Sequence, residues 1–294
     1  MPDLEQQFAL VEVAYRATRD GRSDTPAAPE VAPRPGALVR AMPAFVADRD
    51  ITSLKWISDY PTNREEHGLP YGSGLIIIND SGTGLPRAVM DSSTITPART
   101  AAVSAVCVEA FATRGWSTVG IIGYGVQSKA HVEALSKLNP SATFQVFSRR
   151  PLGAGDPRLS AAENPRAAIE GADVVITGMP LDTKLEPPVA FGWLTPTALV
   201  LPLDDDASLD ADVVNGARAF YVDDPDDFGM RQAVGTFSNW REPDRTVPEA
   251  VLDCRPAEGV IVCANQGMGV LDAVFAGFVL DCAERDGVGT LLER

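Results

Sequence analysis

Apolar positions along the chain change their spacing twice, and each change marks a different kind of element. Residues 3–20 keep a helical period: Leu4, Phe8, Val11, Ala14 and Tyr15 recur near three- and four-residue intervals, predicting an amphipathic helix. The Pro-rich stretch DTPAAPEVAPRPGALV predicts extended chain leading into strands. ITSLKWIS, ending near Asp59, predicts a strand, and DYPTNREEHGLPYGSG a loop. GLIIIND and PRAVMDS predict two further strands around the SGTGL turn. Strand–turn–strand order of this kind predicts an antiparallel or mixed sheet.

At TITPART the helical period returns. Thr96 suits an N-cap and Pro97 the first helical position, predicting a helix that continues through Ala112. After Gly115, strands alternate with helices: STVGIIG, a helix from about Val126 to Leu138, TFQVF, DVVITGMP, TALVLPLD and AFYVDD. That alternation predicts a parallel sheet covered by helices on both faces. VIVCAN predicts a last short strand and Val270–Arg285 a final helix. The stretch 225–258, dense in Pro, Asp and Arg, predicts a surface wrap. The fold class is α/β, with a doubly wound, Rossmann-type parallel sheet beside a second α+β region.

Composition narrows the function classes. The chain has 294 residues, 45% of them hydrophobic and 22% charged, enough to bury a core without staples. A formal net charge of -15 disfavours nucleic acid and anionic membrane surfaces as partners. Cys107, Cys254, Cys263 and Cys282 form no CxxC pair, which fits a reducing, cytoplasmic setting. The two histidines, His67 and His131, sit in unrelated contexts and argue against a zinc site. No signal-peptide core and no apolar run of roughly 18 residues is present, so no membrane span is expected.

The strongest chemical signal is VGIIGYGVQSKAHVEAL, which carries Gly123-x-Gly125-x-x-Ser128 between a predicted strand and a predicted helix. Gly123 permits the tight turn, Gly125 lets backbone approach a pyrophosphate, and Ser128 is small enough for close helix–strand packing. Val126 and Gln127 open the helix, where free N–H groups and the dipole favour a phosphate. Beyond the next strand, NAD enzymes place an acid on the ribose hydroxyls. Here stand Ser148, Arg149 and Arg150, which suit a 2′-phosphate and favour NADP(H) over NAD(H). Solvent-exposed turn arginines are the plain alternative.

Two cations deserve the same weighing. Arg99, early in the helix capped by Thr96, could receive a carboxylate, though spacing alone favours a surface arginine. Lys55, between Leu54 and Trp56 in a strand, points either to solvent or into a polar cavity. The acidic run Asp204-Asp205-Asp206 lies at the carboxyl end of a predicted parallel strand, where such sheets bind ligands, although most acidic runs are solvated turns.

The run GLPYGSGLIIINDSGTGLPRAVMDSSTITPARTAAVSAV, followed by GIIGYGVQSKAHVEAL, resembles the ornithine cyclodeaminase/mu-crystallin family. Thr83-Gly84, Met90-Asp91, Thr96 and Arg99-Thr100-Ala101-Ala102 carry the likeness, and NQGMGVLDAVFAGFVLDCAERDGVGT extends it more weakly. The resemblance implies a homodimer with a substrate-binding and dimerisation domain from 1–113 and 268–294, and a Rossmann domain from 114–267. By motif position it implies that Arg34, Lys55 and Arg99 bind a substrate carboxylate and that Gly267 lies near the substrate. Its catalytic aspartate is best matched by Asp206, with Asp204 the other match. The leading function implied is a NAD(P)-dependent oxidoreductase on the C–N bond of a small amino or imino acid. A cyclodeaminase that eliminates ammonia, and an NADPH-binding crystallin without turnover, are the alternatives.

Overall fold

Two sheets of different kind account for the two hydrophobic periods. The computed structural model describes residues 1–153, 155–181, 183–253 and 258–292. The chain forms two compact units, Met1–Arg99 with Met268–Arg294, and Thr100–Gly267. Sequence placed the first boundary at 113/114; the contacts divide the chain at Arg99/Thr100, within a helix.

In the first unit, α1 (Leu4–Arg19) begins at a capping box, in which Asp3 and Gln6 satisfy each other's backbone N–H groups. Six strands follow: β1 (Ser23–Asp24), β2 (Glu30–Val31), β3 (Leu38–Val46), β4 (Ile51–Asp59), β5 (Gly72–Asp80) and β6 (Pro86–Asp91). They pair antiparallel in the order β1-β3-β4-β5-β6, with β2 added on β3. Alternation along each strand sorts the side chains onto two faces. Met42, Ala44, Ser53, Lys55, Ile76 and Ile78 form a buried face, and Trp56, Leu75 and Val89 stand exposed on the other.

The last helix, α8 (Gly269–Asp286), packs on the buried face. Its residues are buried without a break from Gly269 to Gly277, so its first half is a core helix rather than an amphipathic one. Gly269 allows the approach: a Cβ there would lie 3.0 Å from the Pro43 carbonyl oxygen.

The second unit takes most of α2 (Ile95–Phe111), then β7 (Thr118–Ile122), α3 (Val126–Leu138), β8 (Thr143–Phe147), β9 (Leu159–Ala161), α4 (Pro165–Ile169) and β10 (Val174–Thr177). It continues through β11 (Leu199–Pro202), α5 (Ala211–Gly216), β12 (Ala219–Val222), α6 (Pro225–Ala233), β13 (Arg245–Thr246), α7 (Val247–Leu252) and β14 (Ile261–Ala264). The strands form an eight-stranded parallel sheet in the order β13-β12-β14-β11-β10-β7-β8-β9. Every residue of β10, β11, β12 and β14 is buried, as expected of parallel strands covered on both sides. Chain order reverses at β7, which has β8 on one side and β10 on the other. Ligands of such sheets bind beyond the strand ends at that switch point.

Two expectations need correction. Helix α2 starts at Ile95, so Thr96 and Pro97 lie inside its first turn rather than at the cap and first position. A proline is tolerated there because first-turn N–H groups have no helical partner. The stretch 225–258 is no surface wrap among its described residues. It contains α6 and α7, and Phe228, Phe237, Trp240 and Val247 enter the core. Asp224 caps α6 by accepting from the Asp226 and Asp227 amides, with Pro225 next, so its polar residues are helix-start chemistry. No helix of the described residues is long and apolar enough to cross a membrane.

Candidate active site

Strand alternation puts Lys55 on the inner face of the antiparallel sheet, in register with Met42 and Ile76. An ammonium buried there must be compensated, and α8 supplies the carboxylate of Asp272. Lys55 Nζ lies 2.6 Å from Asp272 Oδ2, and Arg99 Nε donates to Asp272 Oδ1 at 3.2 Å. The side chains of Lys55, Asp272 and Arg99 are 1%, 1% and 7% exposed, so two cations share one acid away from solvent. Burial pushes Lys55 down to about 8; Asp272 opposes the shift, while the charges of Arg99 and Arg40 add to it. The structure thus brings Lys55 and Arg99 together. It does not bring Arg34 to them: Arg34 is exposed and its Nη1 donates to the Pro33 carbonyl at 2.7 Å.

In the parallel unit, the loop after β7 has the shape that a dinucleotide pyrophosphate requires. Gly123 adopts φ +84, and a Cβ on it would sit 2.5 Å from the Gly178 carbonyl oxygen. A Cβ on Gly125 would meet nothing within 4 Å, so its backbone is open to approach. Gly125 caps α3 without a side-chain hydrogen bond, leaving the first amides of Val126, Gln127 and Ser128 for an anion. Ser128 is fully buried and its Oγ donates to the Gly123 carbonyl at 2.9 Å, closing the turn on itself. Gln127 Oε1 is buried without a hydrogen-bond partner. Ser148 Oγ accepts from the Arg150 amide at 3.2 Å, and Arg149 and Arg150 are exposed, with no ion pair among the described residues. These residues fit a dinucleotide. Gly123→Ala is accordingly expected to weaken dinucleotide binding by at least about tenfold and to lower Tm, through left-handed strain and the clash with Gly178. Fluorescence titration with reduced nicotinamide dinucleotide and a thermal melt measure both effects.

The three acids after β11 serve different ends. Asp204 is fully buried, accepting from Thr177 Oγ1 at 2.5 Å, Met179 N at 2.8 Å and Ser208 Oγ at 2.5 Å. Burial pushes it up to about 6 against the pull of those donors. Asp205 pairs with Arg231. Asp206 keeps a 23% exposed side chain, with Lys184 Nζ 2.5 Å away and the Phe237 amide at 3.3 Å. Gly267, at φ +102 after β14, donates its amide to Asp223 Oδ2 at 2.6 Å. Asp223, just after β12, is also pushed up to about 6 by burial. Beside it, both side-chain polar atoms of Gln266 and Oδ1 of Asn265 are buried without partners. Unsatisfied amides at the carboxyl ends of parallel strands are suited to a polar ligand.

Sequence reasoning missed Arg40, Asp272, Asp223 and His131. Asp272 had a usable signal, as an acid isolated in the apolar helical run GVLDAVFAGFVL. His131 had none, since its role depends on a neighbour distant in sequence. It is fully buried, with Nδ1 2.7 Å from the Gln127 carbonyl and Nε2 2.8 Å from Ser104 Oγ. Burial pushes it down to about 4, so the ring is neutral. Nδ1–H then donates to Gln127, and Nε2 accepts from Ser104. The first turn of α3 is thereby tied to α2. Among the described residues no group of three or more His, Cys, Asp or Glu side chains could hold a metal.

Fold and site together define a two-unit protein: a Rossmann-type nucleotide unit, and an antiparallel unit with a buried cation cluster. The chain belongs to the ornithine cyclodeaminase/mu-crystallin family, whose sequence model matches residues 3–285. It is 30% identical to the nodulation efficiency protein NfeD of Rhizobium meliloti, over 96% of this chain and 92% of that protein. It is 28% identical to the ketimine reductase mu-crystallin of Rattus norvegicus, over 82% of this chain and 79% of that protein. Among solved structures, it resembles the Δ1-pyrroline-2-carboxylate reductase of Thermococcus litoralis in complex with NADH and L-proline. That match has a TM-score of 0.85 at 23% identity, over 99% of this chain and 96% of the other.

Proposed function

We propose that this protein is a nicotinamide-dependent oxidoreductase acting on the C–N bond next to the carboxylate of a small amino or imino acid. The convergence of Lys55 and Arg99 on Asp272 carries the reading: two desolvated cations already seat a carboxylate at the inner face of the antiparallel sheet. The ketimine reductase relative, and the reductase structure holding NADH and L-proline, support the same class. A bound nicotinamide supplies or accepts the hydride. Lys55 and Arg99 hold the substrate carboxylate, each charge-assisted bond contributing about 1.5–3 kcal/mol. Fixing that group orients the neighbouring carbon, which is a large part of such catalysis. Asp206, the most exposed acid of its run, moves a proton at the substrate nitrogen, while Asp204 anchors the loop to Thr177.

The test is a panel of cyclic ketimines, 2-oxo acid and amine pairs, and diamino acids, with both cofactors. Steady oxidation of the reduced cofactor with an imine supports the reading. Ammonia release from a diamino acid without net cofactor change selects a cyclodeaminase. Cofactor binding without turnover of any compound leaves only a binding protein.

Lys55 sets the expected pH dependence. Its grip needs the protonated ammonium, and that form is lost as pH rises through about 8, rather than near the ordinary 10.5. The kcat/KM profile should therefore fall above about pH 8, and Lys55→Arg should move that limb upward. An unchanged limb in the arginine variant excludes Lys55 as its source.

We further propose a preference for NADP(H), from two exposed guanidinium groups after β8 with no acid beside them in the Ser148-Arg149-Arg150 turn. Arg149→Ala with Arg150→Ala should weaken NADP(H) by roughly tenfold or more, and NAD(H) far less. Equal losses for both count against a 2′-phosphate clamp. The exposed Trp56, Leu75 and Val89 on the outer sheet face support a homodimer built on the antiparallel unit, and the cysteine usage supports a cytoplasmic setting.

A further inference from the structure

Arg40 belongs to the cation cluster, yet the proposed reaction on an α-carboxylate does not use it. On the inner sheet face, Arg40 stands opposite Ile57, and Lys55 opposite Met42, so the two cations are diagonal neighbours on adjacent strands. Its charge is felt at Lys55, where it works with Arg99 to disfavour the ammonium. Lys55 therefore bears the repulsion of two guanidinium groups, Arg40 from the same sheet face and Arg99 from α2, against the two carboxylates of Asp272 and Glu30. An arrangement costly to the protein alone points to an anion that compensates it.

The carboxylate on Arg40 belongs to Glu30, directly across the register on β2. That strand is two residues long and pairs only with β3, and the Glu30 side chain is 35% exposed. Glu30 is thus an exchangeable partner on a sheet edge. The Arg40 side chain is only 11% exposed, and its Nε is buried with no hydrogen-bond partner. Leaving a buried donor unmade costs about 1–3 kcal/mol, more when it is charged. The face accordingly has two seats that fit a carboxylate: one on Lys55 and Arg99, the other on Arg40.

We infer that the substrate is a dicarboxylic amino or imino acid, whose second carboxylate displaces Glu30 and is held by Arg40. This rests on the oxidoreductase reading for the first carboxylate, and adds the identity of the side chain. The Glu30 pair serves as a stand-in that keeps the guanidinium compensated between turnovers.

Matched pairs of 2-oxo acids with ammonium test the inference: 2-oxoglutarate against 2-oxopentanoate, and oxaloacetate against 2-oxobutanoate. The dicarboxylate of each pair is expected to have the higher kcat/KM by roughly ten- to a hundredfold, the value of one charge-assisted contact. Arg40→Met should collapse that ratio. Calorimetry with the unreactive probes succinate and butanoate needs no turnover; Glu30→Gln, which removes the internal competitor, should raise succinate affinity and leave butanoate affinity unmoved. Turnover of both series at similar kcat/KM, a ratio that survives Arg40→Met, or succinate affinity indifferent to Glu30→Gln overturns the dicarboxylate inference and leaves the oxidoreductase reading standing. No turnover of either series, nor of the wider imine panel, overturns both.

Discussion

Lys55→Met is expected to lower kcat/KM roughly a hundredfold or more, while dinucleotide affinity stays within about twofold. Methionine keeps the unbranched stem between Met42 and Ile76 but removes the ammonium that lies 2.6 Å from Asp272. One charge-assisted contact to the substrate accounts for about 1.5–3 kcal/mol of the loss. The remainder comes from orientation, since Arg99 alone permits the carboxylate to pivot. Removing one partner of a buried ion pair is destabilising, so the melt should fall, but the fold should survive while Asp272 stays compensated. Asp272 keeps Arg99 as a partner at 3.2 Å. Steady-state kinetics beside fluorescence titration of the cofactor separates the outcomes. Unaltered kinetics remove Lys55 from the site, and equal loss of turnover and cofactor affinity points to general misfolding.

Asp206→Asn is expected to lower kcat by about 10²–10⁴, the usual size of a lost general acid or base, with little change in KM. Asparagine preserves the shape and one acceptor for Lys184 Nζ, now 2.5 Å from Oδ1, so the loss should be chemical rather than architectural. Asp204→Asn is the informative comparison. Thr177 Oγ1, Ser208 Oγ and Met179 N all donate to Asp204, and an amide turns donors towards donors. That variant should lose thermal stability by breaking the link between β10 and the loop after β11. If Asp204→Asn instead kept its melt and lost kcat, while Asp206→Asn remained active, the proton carrier would be Asp204.

How far the sequence was legible follows from the range of the interactions involved. The parallel unit was readable because buried strands such as β10 and β11 are continuous apolar runs, and because Gly123, Gly125 and Ser128 act through local backbone geometry. Helix α3 was expected from about Val126 to Leu138 and occupies those residues. The region 225–258 was misread because Asp224 and Pro225 look like loop composition, while the apolar anchors Phe237 and Trp240 are isolated in sequence.

Lys55 was a conspicuous charge in an apolar strand, but its partner Asp272 lies 217 positions later on α8, and no local pattern links them. Arg40 carried no signal of its own. Its meaning arises from strand register, which sets it diagonally across from Lys55 and opposite Glu30. Arg34 shows the reverse case: motif position named it, and its exposed side chain stands apart from the Lys55–Asp272–Arg99 cluster, with Nη1 donating to the neighbouring Pro33 carbonyl.

In the proposed reaction Lys55 and Arg99 hold an acid group so that hydride moves to or from the adjoining carbon. Reduced cofactor carrying deuterium at C4 of the nicotinamide tests it directly, with the amine product examined by NMR. Deuterium is expected on the carbon that bears both the nitrogen and the carboxylate, in step with the cofactor oxidised. Oxidation of the cofactor with no label at that carbon would contradict it.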